Sequence, residues 1–128
     1  MTIESTSIVF NLTPIPKPRM TQSDKWNERP AVVNYYAYKQ KLRLDANTKK
    51  YRLSDTLCID FFIPMPKSWS DKKRQQMIDK PHQDKPDIDN LVKGFMDALS
   101  DSDQNIWMVS AQKHWSDTGY IVITLENY

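Results

Sequence analysis

Apolar positions recur along the chain in two rhythms, one of period two and one near 3.6, and proline marks where each stops. Residues 7–12 (SIVFNL) are apolar and β-branched and predict a strand that ends before Pro14, Pro16 and Pro18, which cannot join a sheet ladder. Residues 17–30 are polar, basic and bounded by proline, with Trp26 in their middle, and read as an ordered surface loop. Pro30 suits the first turn of a helix reaching about Asn47, with Val33, Tyr36, Ala37 and Leu44 as the expected core face and Lys39 and Arg43 on the other side. A second strand is predicted over 56–63 (TLCIDFFI), stopped by Pro64 and Pro66. Ser70 is an N-cap candidate for a short charged helix over 71–79, and Pro81 and Pro86 then bracket a polar loop. A third helix is expected from about Asp87 to Asp89 as far as Leu99, carrying Val92, Phe95, Met96 and Leu99 as a narrow apolar stripe. After the polar break SDSDQN, residues 106–115 and 120–126 alternate, which predicts a hairpin closed around Ser116, Asp117, Thr118 and Gly119.

The order β-α-β-α-α-β-β predicts one α+β domain over residues 1–128. It is expected to be two-layer, with a small mixed sheet and the helices packed on one face, because a doubly wound parallel fold needs regular βα alternation. The length of 128 residues fits one core. The longest mostly apolar stretch, 57–66, contains Asp60 and is far too short to span a bilayer, so no membrane partner is expected. The first ten residues carry Glu4 and no basic residue, unlike a secretory leader, which predicts a cytoplasmic protein. The single cysteine, Cys58, sits in an apolar run and is expected to be a core thiol. Two glycines in the whole chain exclude glycine-rich phosphate-cradling loops.

Charge is segregated. Residues 17–52 hold ten Lys/Arg against three Asp/Glu, whereas residues 53–128 hold eight against twelve. A basic surface suits a phosphate-bearing partner, and a concentration of carboxylates beside it calls for a cation. The acidic part peaks in KPDIDNLVKGFMDALSDSDQNIW, residues 85–107, with Asp87, Asp89, Asp97, Asp101 and Asp103 and no Glu. Asp is the poorer helix former of the two acids, so helix propensity does not explain the choice. If Asp87 and Asp89 open a helix and the chain doubles back after Leu99, Asp101 or Asp103 can approach the same point. Like charges at ~4 Å repel by on the order of 4 kcal/mol at an effective dielectric near 20, so such a cluster needs a dication or a raised pKa. Oxygen-only ligands favour magnesium or manganese.

Each acid also has a plain structural reading. Asp87 or Asp89 fits an N-cap worth about 1 kcal/mol. Asp89 and Lys93 fit a surface i,i+4 ion pair. Asp97 lies opposite the apolar stripe and reads as solvated. His82 and His114 lack paired ligand spacing and read as packing or solvent-facing residues.

The string Asp87-x-Asp89-Asn90-Leu91-x-Lys93-x-x-x-Asp97-Ala98-Leu99 resembles the signature of the RusA family of Holliday junction resolvases, small phage-type endonucleases of recombination and repair. Ile15-Pro16-Lys17-Pro18-Arg19 is similar to that family's proline-and-basic N-terminal segment, and Lys113 stands where the family has a basic residue after its third acid. The resemblance implies an α+β homodimer in a bacterial, prophage-type setting that cuts four-way DNA junctions with Mg²⁺, or Mn²⁺ as substitute. It assigns Asp87, Asp89 and Asp103 as metal-binding and catalytic carboxylates, with Asp101 as the alternative third acid, and Lys93 as the catalytic lysine. Lys17, Arg19, Lys25, Arg29, Lys39, Arg43 and Lys113 are then expected to contact DNA, and Trp26 to wedge against unstacked bases or anchor its loop. A non-cutting module of the same fold that binds branched or single-stranded DNA is the alternative expectation.

Overall fold

In a computed structural model describing residues 4–19, 29–100 and 105–127, the elements follow the expected order. They are β1 (Glu4–Phe10), α1 (Pro30–Lys49), β2 (Thr56–Pro64), α2 (Asp71–Met77), α3 (Ile88–Leu99), β3 (Met108–Ser116) and β4 (Tyr120–Asn127). The loop around Lys25 and Trp26, and Asp101 and Asp103, lie outside the described residues.

The four strands form one mixed sheet in the order β1-β4-β2-β3, with β2 and β3 parallel and the other pairs antiparallel. Leu57, Ile59 and Phe61 of β2, Ile121 and Ile123 of β4 and Phe10 of β1 form one buried cluster with Tyr35, Tyr38 and Leu42 of α1 and Leu91, Phe95 and Ala98 of α3. This is the α+β, two-layer arrangement the element order predicts. The short helix α2 buries none of its residues and is held by its cap, in which Ser70 Oγ accepts from the Lys73 N–H at 3.2 Å. None of the described helices is long and apolar enough to cross a membrane.

Four expectations are corrected. The core face of α3 is Leu91, Gly94, Phe95 and Ala98, while Val92, Met96 and Leu99 of the expected stripe are only half-buried. The hairpin does not exist: β4 pairs with β1 and β2, and the strand that pairs with β3 is β2. Two inter-strand steps measure about 10 Å, within reach of the three residues Asp117, Thr118 and Gly119, so a short connection can step over β2. Burial decides the order. Ile121 and Ile123 make β4 an apolar interior strand, while Ser110 and Gln112 leave β3 suited to an outer position. The core face of α1 also differs: Val32, Tyr35, Tyr38, Leu42 and Ala46 are buried, and the four expected positions Val33, Tyr36, Ala37 and Leu44 are all exposed. Both faces of α1 are apolar, and the buried one is the one whose Tyr35 hydroxyl finds a partner, donating to the Gly94 carbonyl at 2.9 Å. Finally, Cys58 is half-buried on the sheet face turned away from the core, because it alternates with buried Leu57 and Ile59.

Candidate functional site

The helix α3 organises the site. Pro86 precedes it, Asp87 is its N-cap residue in extended conformation and Asp89 lies in its first turn. The Asp87 side chain makes no capping hydrogen bond, so its carboxylate is not consumed by the helix end. Both carboxylates are exposed at the end of a helix whose dipole favours anions. Asp87 opens on a cleft of about 440 Å³ shared with Pro16, Lys17, Lys85, Pro86 and Asn90. Asp89 and Lys93 rim a groove of about 470 Å³ whose floor is Val92, Met96, Val109 and Ala111.

The basic N-terminal segment is bound to this helix. Lys17 N–H donates to the Asn90 carbonyl at 3.2 Å, and Lys17 Nζ meets Asp97 Oδ2 at 2.5 Å. Lys93 Nζ reaches the same oxygen at 3.6 Å, so one carboxylate bridges two ammonium groups. The plain readings of Asp97 as solvated and of Lys93 as paired with Asp89 are therefore corrected: Asp97 is half-buried and is the acid within ion-pair reach of Lys93. The close approach needs Gly94. A Cβ there would stand 2.8 Å from the Ile15 carbonyl oxygen and 2.9 Å from the Lys17 nitrogen. Burial, with the Asp97 carboxylate next in effect, pushes the Tyr35 phenol up to about 12.

The other candidate cations are distributed unevenly. Arg43 Nε donates to the Ala98 carbonyl at 2.7 Å, at the opposite end of α3, where a cation complements the helix dipole. Arg29 Nη2 donates to the Arg19 carbonyl at 2.5 Å, tying the two flanks of the N-terminal loop. Lys39 is half-buried on α1 and Arg19 is exposed. Lys113 Nζ donates to the carbonyls of Asp84 at 2.7 Å and Pro86 at 2.8 Å.

Neither histidine is a plain surface residue. His82 is buried, its ring 4.1 Å from that of Trp115, and desolvation, reinforced by the Lys113 charge, holds its pKa below the ordinary value. His114 Nε2 lies 2.8 Å from Asp60 Oδ1, and its ring stacks on Phe62, which in turn stacks on Tyr120. Among the described residues no three Asp, Glu, His or Cys converge in a way that could hold a metal. Asp87 and Asp89 supply hard oxygen donors of the kind Mg²⁺ takes, and they are two. Gly94, Tyr35 and Asp97 were missed from sequence. A glycine inside an otherwise good helix was the available signal, since it costs about 1 kcal/mol relative to alanine unless something needs the space.

Asp87 and Asp89 thus stand exposed at the start of a helix of an α+β domain, with Lys17 and Lys93 lining the adjoining clefts. The family model for endodeoxyribonuclease RusA matches residues 11–126, and the chain belongs to that family. Membership implies an endonuclease that resolves Holliday junctions. Comparison with curated proteins gives no match.

Proposed function

We propose that the protein is a Mg²⁺-dependent, structure-selective endodeoxyribonuclease that hydrolyses paired phosphodiesters in four-way DNA junctions, as a homodimer. The observation that carries this reading is the attachment of the basic N-terminal segment to α3 through Lys17, Asp97 and Lys93, beside Asp87 and Asp89, the two carboxylates to which the sequence resemblance assigns the metal. Asp87 and Asp89, with Asp103 as third carboxylate, would hold the metal. Bound there, Mg²⁺ supplies charge neutralisation at the scissile phosphate and an attacking water of lowered pKa.

The rest is done by the chain's own side chains. Lys93 stabilises the negative charge that builds on the phosphoryl oxygens. Asp97 holds Lys93 and Lys17 at the rim of the site until phosphate oxygens draw their ammonium groups away. Lys17, Arg19, Lys25 and Arg29, with Lys39 and Arg43 on α1, contact backbone phosphates, each contact adding about −0.9 to the slope of log affinity against log salt. A junction presents two equivalent strands, and a two-fold dimer supplies two sites in matching orientation.

The test is cleavage of a mobile four-way junction, a fork and a linear duplex of the same sequence, each with Mg²⁺, Mn²⁺ or EDTA. Paired cuts in the junction alone, abolished by EDTA, are expected. Junction binding that weakens with salt but yields no cut with either metal would assign the chain instead to the non-cutting branched-DNA binders.

A further inference from the structure

The segment between α2 and α3 runs along the outer edge of β3 as an irregular fifth strand. Asp79 N–H donates to the Trp115 carbonyl at 2.8 Å, Trp115 N–H to the Lys80 carbonyl at 2.9 Å and His82 N–H to the Lys113 carbonyl at 3.0 Å, with a bridge between Pro81 and His114. Trp115 seals this edge, its ring lying against both His82 and Trp69. The backbone bonding reaches no further than His82, five residues short of Asp87. From there the Lys113 side chain continues the fastening, donating to the carbonyls of Asp84 and Pro86. The Pro86 carbonyl belongs to the peptide unit that leads directly into Asp87. On the helical side, Asp87 is fixed by the Leu91 N–H, which donates to its carbonyl at 3.2 Å.

We propose that Lys113 is a positioning residue whose ammonium group fixes the 84–86 loop and thereby the backbone from which the Asp87 carboxylate projects. This rests on the reading of Asp87 as a metal-holding carboxylate. Two of the three ammonium protons of Lys113 are committed to carbonyls of its own chain, which is the behaviour of a clamp and leaves little for a DNA phosphate. The geometry also uses the strand register. Lys113 is paired with buried Phe61, so its side chain leaves the sheet on the core side, toward the loop that feeds α3.

The test compares wild type, Lys113→Met and Lys113→Arg as full chains in four measurements. These are Mn²⁺ binding by electron paramagnetic resonance, the Mg²⁺ concentration for half-maximal junction cleavage, metal-free junction affinity against salt, and amide exchange of residues 84–89. For Lys113→Met the expected result is at least tenfold weaker Mn²⁺ binding, a matching rise in the Mg²⁺ requirement and faster exchange confined to 84–89, with an unchanged salt slope. Lys113→Arg, which can still donate to two carbonyls, should recover most of the loss. A salt slope reduced by about 0.9 with an unchanged Mg²⁺ requirement would make Lys113 a phosphate contact and overturn the proposal. Unchanged exchange at 84–89 would overturn it equally. Wild type that neither binds Mn²⁺ nor cuts would defeat the metal-nuclease reading on its own, and the exchange comparison still decides whether Lys113 clamps the loop.

Discussion

Replacing Gly94 by alanine should destabilise the protein, against the trend for helix interiors. In an open helix the change gains about 1 kcal/mol from propensity and reduced chain entropy. Here the new methyl group would stand 2.8 Å from the Ile15 oxygen and 2.9 Å from the Lys17 nitrogen, with the Pro16 carbonyl carbon at 3.4 Å. Those are backbone atoms, and no rotamer change relieves them. Overpacking of this kind costs roughly 1–3 kcal/mol, and moving the segment outward also stretches the Lys17 N–H bond to the Asn90 carbonyl, worth about 1 kcal/mol. The balance is a net loss of about 2 kcal/mol, which for 128 residues lowers the melting temperature by roughly 5–8 °C. The assay is thermal and urea unfolding followed by circular dichroism, with Asn34→Ala on the exposed side of α1 as the propensity control. A Gly94→Ala protein more stable than wild type would show that the N-terminal segment does not lie against α3, and the link between Lys17 and the site would fall with it.

Lys50 ends α1 in the left-handed conformation, φ 56°, its N–H serving the carbonyls of Ala46 and Asn47. Lys50→Gly should therefore stabilise by about 0.5–1 kcal/mol in urea titrations, and a loss would contradict the strain assigned to it. Asp97→Asn leaves two ammonium groups facing each other across partly exposed space. Unfolding measurements should register a loss of at most about 1 kcal/mol, while junction affinity rises at low salt as one negative charge disappears. His82 has its folded pKa depressed, so its contribution is fully present above its unfolded value near 6.5. That contribution declines as pH falls toward the folded value, by at most about 1.4 kcal/mol per pH unit. Urea midpoints of wild type should consequently drop faster than those of His82→Gln between pH 7 and pH 5, and parallel curves would refute the assignment.

The parts of the fold that were legible are those set by local chemistry. Pro86 and Asp87 mark the start of α3 without help from the rest of the chain, and Ser70 does the same for α2, whereas the buried face of α3 shares only Phe95 with the expected stripe. What stayed hidden depends on partners distant in sequence. The α1 helix has apolar side chains on two overlapping faces, and the choice between them depends on distant partners, the buried cluster and the Gly94 carbonyl, 59 positions from Tyr35. The alternation in β3 and β4 is the same whether they pair with each other or flank β2, so the pattern carries no information about which occurs. At the site, Asp87 and Asp89 were legible as acids at a helix start. The role of Asp97 was not, because it is created by Lys17, 80 positions away. The Lys113 clamp was likewise invisible, since its acceptors are backbone carbonyls and carry no side-chain signature.

The most direct test of the nuclease reading is single-turnover nicking of a mobile four-way junction by wild type and Asp89→Asn, with junction binding measured alongside. Wild type should cut only when Mg²⁺ is added, and the variant should bind the junction at least as tightly, having lost a negative charge, yet leave it intact. Equal cutting by the two proteins would remove Asp89 from the chemistry and contradict the account.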